Sequence, residues 1–166
     1  MLAIARAFYR TQGFAALSYA RPSRDNPGRS EVSAFGFPEG FVADYRDGLA
    51  EFDPLPGLAA RAGRPVRILD IVEGRLSANQ QLFVDTAREH GLTDGFLLPT
   101  FGPRQHIVVF SITMAEHEDR IAHADLPILH SVAQAVHLRI DQLASEEVAR
   151  PHLAPREITI LHWIAR

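Results

Sequence analysis

Neither cysteine nor lysine occurs in the 166 residues. Without cysteine there is no disulfide framework, no thiolate nucleophile and no zinc ribbon. Without lysine there is no Schiff-base amine and no phosphate-loop lysine, so all seventeen basic side chains are arginine. The chain also lacks a G-x-S-x-G elbow, an H-E-x-x-H pair, a Walker A loop and a G-x-G-x-x-G turn, which argues against an enzyme. A net charge of −3 and a pI near 6.2 provide no basic patch for a phosphate backbone, so this chain alone is a poor nucleic-acid binder. The first 24 residues carry Arg6, Arg10, Arg21 and Arg24 and no acid, superficially like a transit peptide. No apolar run of about 7–15 residues follows, as a secretory signal requires, and none approaches the ~20 of a membrane span. The expectation is a soluble, cytoplasmic protein without membrane contact.

What is present suits one globular domain. At this length a chain buries roughly 70% of the surface it exposes when unfolded, enough for a core with room for a cavity. Residues 2–12 read as a helix stopped by Gly13, and 14–21 and 31–36 read as two strands joined by the turn-rich 22–30. Phe41, Tyr45, Leu49 and Phe52 recur at helical spacing, predicting one helix over 38–52. Asp53 before Pro54 reads as the N-cap of a further helix to about Ala62. Residues 65–72 read as a strand, and 78–90 as a helix bounded by a Ser77–Gln80 capping box and Gly91. Strands 94–101 and 106–114 form a second hairpin, and an amphipathic helix starts near Asp125. Antiparallel hairpins set between helices predict an α+β fold rather than a doubly wound parallel sheet. After a linker at 149–153, residues 154–166 begin a separate amphipathic helix.

Three kinds of side chain attract a functional reading. Asp53 has a complete explanation as a cap worth roughly 1 kcal/mol, yet its two oxygens could also serve a ligand. Ser111 sits in an apolar strand, where its hydroxyl must find a partner, either a backbone carbonyl or a ligand, or cost roughly 1–3 kcal/mol. Eight histidines invite a metal. However, His130 and His137 are about 10.5 Å apart along their helix, too far to share an ion with ligands about 2 Å away. They are expected on a polar helix face with Gln134 and Asp141, at a subunit interface if anywhere, and no metal site is expected.

Three stretches, read together, resemble LuxR-type quorum-sensing transcription factors. "LAPREITILHWIAR" is similar to the start of that family's helix-turn-helix domain. "FVADYRDGLAEFDP" resembles the motif in which an aromatic, a tyrosine four residues later and an Asp-Pro pair frame the signal pocket, and "REHGLTDGFLLPTFGPRQHIVVFSI" resembles the segment whose glycine, here Gly95, precedes two long strands. The resemblance implies an α-β-α sandwich of GAF/PAS type, with a central antiparallel sheet of about five strands flanked by helices. It also implies an apolar cavity for an N-acyl homoserine lactone, and no other cofactor. Residues 1–148 would bind the signal and form a homodimer, and DNA would be bound only through the domain that 154–166 begins.

By position, Asp53 would accept the ligand amide N–H, Ser111 would bond the amide carbonyl, and Tyr45 would line the same region. Phe37 and Phe41 stand where the family has a tyrosine and a tryptophan, so both ring donors are missing, each loss amounting to about ten- to a hundredfold in affinity. A second family tryptophan falls near Leu69 or Asp70, and the Phe41–Asp53 interval is one residue shorter than usual. The retuned pocket leaves two alternatives beside a lactone sensor: a family member sensing another small molecule, or a short regulator that inhibits full-length relatives by heterodimerisation.

Overall fold

The computed structural model of the chain describes residues 1–23, 30–102, 107–114 and 118–148. The linker and the helix-turn-helix opening expected at 149–166 lie outside them, as do most of the turn after β1 and the tip of the second hairpin. In chain order the elements are α1 (Leu2–Thr11), β1 (Ala16–Pro22), β2 (Ser30–Phe35), α2 (Glu39–Arg46), a 3-10 turn (Leu49–Phe52) and α3 (Leu55–Ala62). There follow β3 (Val66–Arg67), α4 (Ile68–Val72), α5 (Ala78–Glu89), β4 (Asp94–Phe101), β5 (Ile107–Met114), a second 3-10 turn (Glu118–His123) and α6 (Leu126–Val148). The five strands form one antiparallel sheet in the order β2-β1-β5-β4-β3, the α+β architecture expected from the hairpins.

Side chains alternate across a strand, so the register assigns each residue to one of two layers. Leu17 and Tyr19 on β1, Phe96 and Leu98 on β4, and Val108, Phe110 and Ile112 on β5 face the core closed by α1 and α6. The intervening Ser18, Ala20, Leu97, Val109, Ser111 and Thr113 face the other way, toward α2, α3, α4 and α5. Gly95 on β4 has no room for a side chain, since a Cβ there would strike the carbonyl oxygen of Ile112. It lets β4 and β5 pack at full length.

Three sequence expectations are corrected. The helix expected over 38–52 is interrupted at Gly48, whose φ of 117° lies in a region that L side chains rarely adopt, and resumes as the 3-10 turn. Residues 65–72 are not a strand beyond Arg67. Buried Asp94 takes Arg67 Nε on Oδ2 at 2.6 Å and the Leu69 N–H on Oδ1 at 3.4 Å, and the chain turns into α4. His137 does not lie on a polar face: it is 1% exposed and its Nδ1 is 3.1 Å from the Tyr19 hydroxyl. The Ser77–Gln80 capping box is present in both directions, and Asp125 caps α6 by accepting the Ile128 N–H.

Candidate functional site

Between the sheet and α2–α5 lies a cavity of about 240 Å³. Its sheet side consists of Ser18, Ala20, Leu97, Val109, Ser111 and Thr113, and its helix side of Phe37, Phe41, Tyr45, Leu55, Ile68, Val72, Phe83 and Val84. The exposed lining residues Arg46, Arg88 and Thr93, with Val32 and Ala34 on the edge strand, mark where it opens. Such a space, mostly apolar with a few convergent polar groups, is the usual form of a small-molecule site.

The aromatic wall is built from the helical spacing seen in the sequence. Phe37 and Phe41 stack at 5.9 Å between ring centroids, and Phe41 meets Tyr45 at 6.0 Å and Phe83 edge-on at 6.0 Å. Outside the wall, His90 at the end of α5 packs edge-on to Phe41, and its Nε2 lies 2.8 Å from Asp44 Oδ2, tying α2 to α5. Phe52, the last residue of the predicted stripe, packs beside this cluster rather than lining the space.

Asp53 is the one carboxylate among the described residues that line the cavity. Its Oδ1 accepts the Leu55 N–H at 2.9 Å, and its Oδ2 accepts the Tyr45 hydroxyl at 3.0 Å. The predicted cap is thus present but displaced, since α3 begins at Leu55 with Pro54 in the cap position. Each carboxylate oxygen retains a lone pair, so the cap leaves capacity to accept a ligand N–H. Burial pushes the Asp53 carboxyl up to about 6, against the opposing pull of the Leu55 N–H and the Tyr45 hydroxyl. Burial, followed by the Asp53 charge and hydrogen bond, raises the Tyr45 phenol, which stays protonated and keeps donating.

The sheet side carries hydroxyls. Ser18 and Ser111 are paired across β1 and β5, and neither side chain hydrogen-bonds to a described residue. The backbone-carbonyl partner open to Ser111 in the sequence is not taken. Polarity is therefore divided, with an acceptor on the helix side and hydroxyl donors on the sheet side.

Of the residues singled out in the sequence, Asp53, Ser111, Tyr45, Phe41 and Phe37 meet in this cavity. Leu69 and Gly95 do not line it: Leu69 gives its N–H to Asp94, and Gly95 provides clearance between strands. Sequence reasoning missed Ser18 and Thr113. Thr113 was within reach, two residues beyond Ser111 on one strand face, whereas Ser18 depends on a cross-strand register that spacing does not reveal. Among the described residues no His, Asp and Glu cluster could hold a metal ion, and no helix is long and apolar enough to cross a membrane.

Comparison with known proteins agrees with this fold. No curated protein matches the chain by sequence. In fold it is similar to SdiA of Escherichia coli, at 16% identity and a TM-score of 0.57 over 99% of this chain and 70% of that one. It is likewise similar to CepR2 of Burkholderia cenocepacia, an N-acylhomoserine-lactone-dependent LuxR-family transcription factor, at 16% identity and a TM-score of 0.66 over 86% and 85% of the two chains. SdiA in complex with octanoyl-rac-glycerol matches at 18% identity and a TM-score of 0.56 over 98% and 68%. The model of the autoinducer-binding domain matches residues 1–140. The chain therefore belongs to the autoinducer-binding domain family, a ligand-binding family rather than a catalytic one, and shares its fold with the LuxR-family factor CepR2.

Proposed function

We propose that the cavity receives a neutral acyl-chain signal, an N-acyl homoserine lactone or a related molecule, with Asp53 accepting the ligand amide N–H and Ser111 donating to its carbonyl. The observation that carries this reading is the meeting of a half-buried, Tyr45-bonded Asp53 with serine hydroxyls that have no partner among the described residues, across an apolar space. Phe37, Phe41 and Tyr45 form its wall. The ligand completes a core that is otherwise hollow, so the folded form gains RT ln(1 + [L]/Kd) of stability, and that gain drives dimerisation and, through a DNA-binding domain begun at 154–166, transcriptional control in the cytoplasm. No catalytic step and no other cofactor is invoked.

A second reading is favoured by Phe37 and Phe41, which present no donor to a lactone carbonyl, and by the acylglycerol bound to SdiA. The ligand would then be an acyl ester with a hydroxylated head group. Thermal melting of the chain against acyl homoserine lactones of several chain lengths and against 1-octanoylglycerol separates the two. A rise with lactones supports the first reading and a rise with the glyceride alone supports the second. No shift with any of them removes both.

A further inference from the structure

The sheet side of the cavity ends at Thr113, 6% exposed, whose Oγ1 is buried without a hydrogen-bond partner among the described residues. The register explains why: Thr113 is flanked by Ala16 on β1 and Gly95 on β4, neither of which has a polar side chain. Thr100 on the opposite face of the same sheet is also buried and gives its hydroxyl to the Val108 carbonyl at 3.0 Å. The sheet backbone can thus satisfy a buried threonine, and at Thr113 it does not. A hydroxyl buried this way destabilises the fold unless something else supplies the bond. The lining side chain can turn by one staggered step about χ1, exchanging hydroxyl for methyl and aiming the oxygen at a ligand.

We propose that Thr113 is a specificity-determining contact that hydrogen-bonds a second oxygen of the ligand head group, beyond the acyl carbonyl addressed by Ser111. This inference rests on the ligand-binding reading above. Side chains two residues apart on one strand face are separated by about 7 Å. The pair therefore selects acyl amides or esters whose head group carries another carbonyl or hydroxyl at roughly 5–7 Å from the first. In this protein the head-group bond lost from the helix wall at Phe37 and Phe41 is supplied from the sheet.

The test uses the full chain with Thr113→Val, which keeps shape and deletes the hydroxyl, and Thr113→Ser, which keeps the hydroxyl. N-octanoyl homoserine lactone, 1-octanoylglycerol and methyl octanoate serve as probes in calorimetry and thermal melting. Without ligand, Thr113→Val is expected to melt roughly 2–8 °C higher, because an unsatisfied hydroxyl has been removed. Its affinity for whichever of the first two probes binds the parent should fall about tenfold or more, while Thr113→Ser retains it and methyl octanoate, with no second head-group oxygen, is unaffected. A lower melting temperature for unliganded Thr113→Val shows that the hydroxyl has a partner in the fold, and undiminished binding shows that it does not touch ligand; either result overturns the inference while leaving the ligand reading intact. If the unaltered chain binds none of the probes, the ligand reading fails and takes this inference with it.

Discussion

The two faces of the sheet are built from the same five strands and serve opposite ends. On the α1/α6 side the central strands β1, β4 and β5 meet a packed core, and buried hydroxyls are bonded: Tyr9 donates to the Leu129 carbonyl at 2.9 Å, and Tyr19 meets His137. On the α2–α5 side the same strands face a space, and Ser18, Ser111 and Thr113 make no side-chain bond to described residues. Both faces bury a core, and the proposed recognition belongs to the one that also encloses a space.

The sharpest way to break this division is to truncate the filled face. Phe110 is fully buried against Tyr19, and Phe110→Ala should cost about 3–5 kcal/mol, read by denaturant unfolding. A loss comparable to that of a surface substitution would show that the α1/α6 layer is not the stabilising one. Next in size is Gly95→Ala, whose Cβ meets the Ile112 carbonyl and should destabilise by roughly 1–3 kcal/mol through strand displacement, without direct contact with ligand. Preserved stability would mean that β4 can move away from β5.

On the hollow face the expected effects fall on affinity. Phe41→Trp restores a ring N–H to the wall, and calorimetry should show about a tenfold gain for N-octanoyl homoserine lactone if its lactone carbonyl reaches this wall. The effect of pH is of similar size. With its carboxyl raised to about 6, Asp53 favours the protonated form in the empty fold, so its contribution to stability is present below its ordinary value of 3.8 and is lost as pH rises through about 6. A ligand N–H needs the carboxylate, so affinity should rise roughly tenfold between pH 5 and 7 and level off above, and Asp53→Asn should flatten the profile.

Much of this was legible locally. A hairpin signature marked β4 and β5, the Ser77–Gln80 box bounded α5, and helical spacing assembled Phe41 and Tyr45 into a wall. The resemblance to LuxR-type regulators directed attention to Asp53 and Ser111. What escaped was set by distant partners. Asp94, 25 residues away, turns the chain into α4 at Leu69. The Tyr19 hydroxyl draws His137 inward across 118 residues, and the pairing of β1 with β5 sets Ser18 opposite Ser111. Periodicity carries the phase of one element, not its register against another.

The division of labour is tested most directly by titrating N-octanoyl homoserine lactone and 1-octanoylglycerol into the chain and into Asp53→Ala, following heat of binding and melting temperature together. Binding to the parent with a raised melting temperature, lost in Asp53→Ala while that variant still unfolds cooperatively, is the expected result. Equal binding by both proteins would contradict it, because the hollow face would then recognise its ligand without the Asp53 carboxylate.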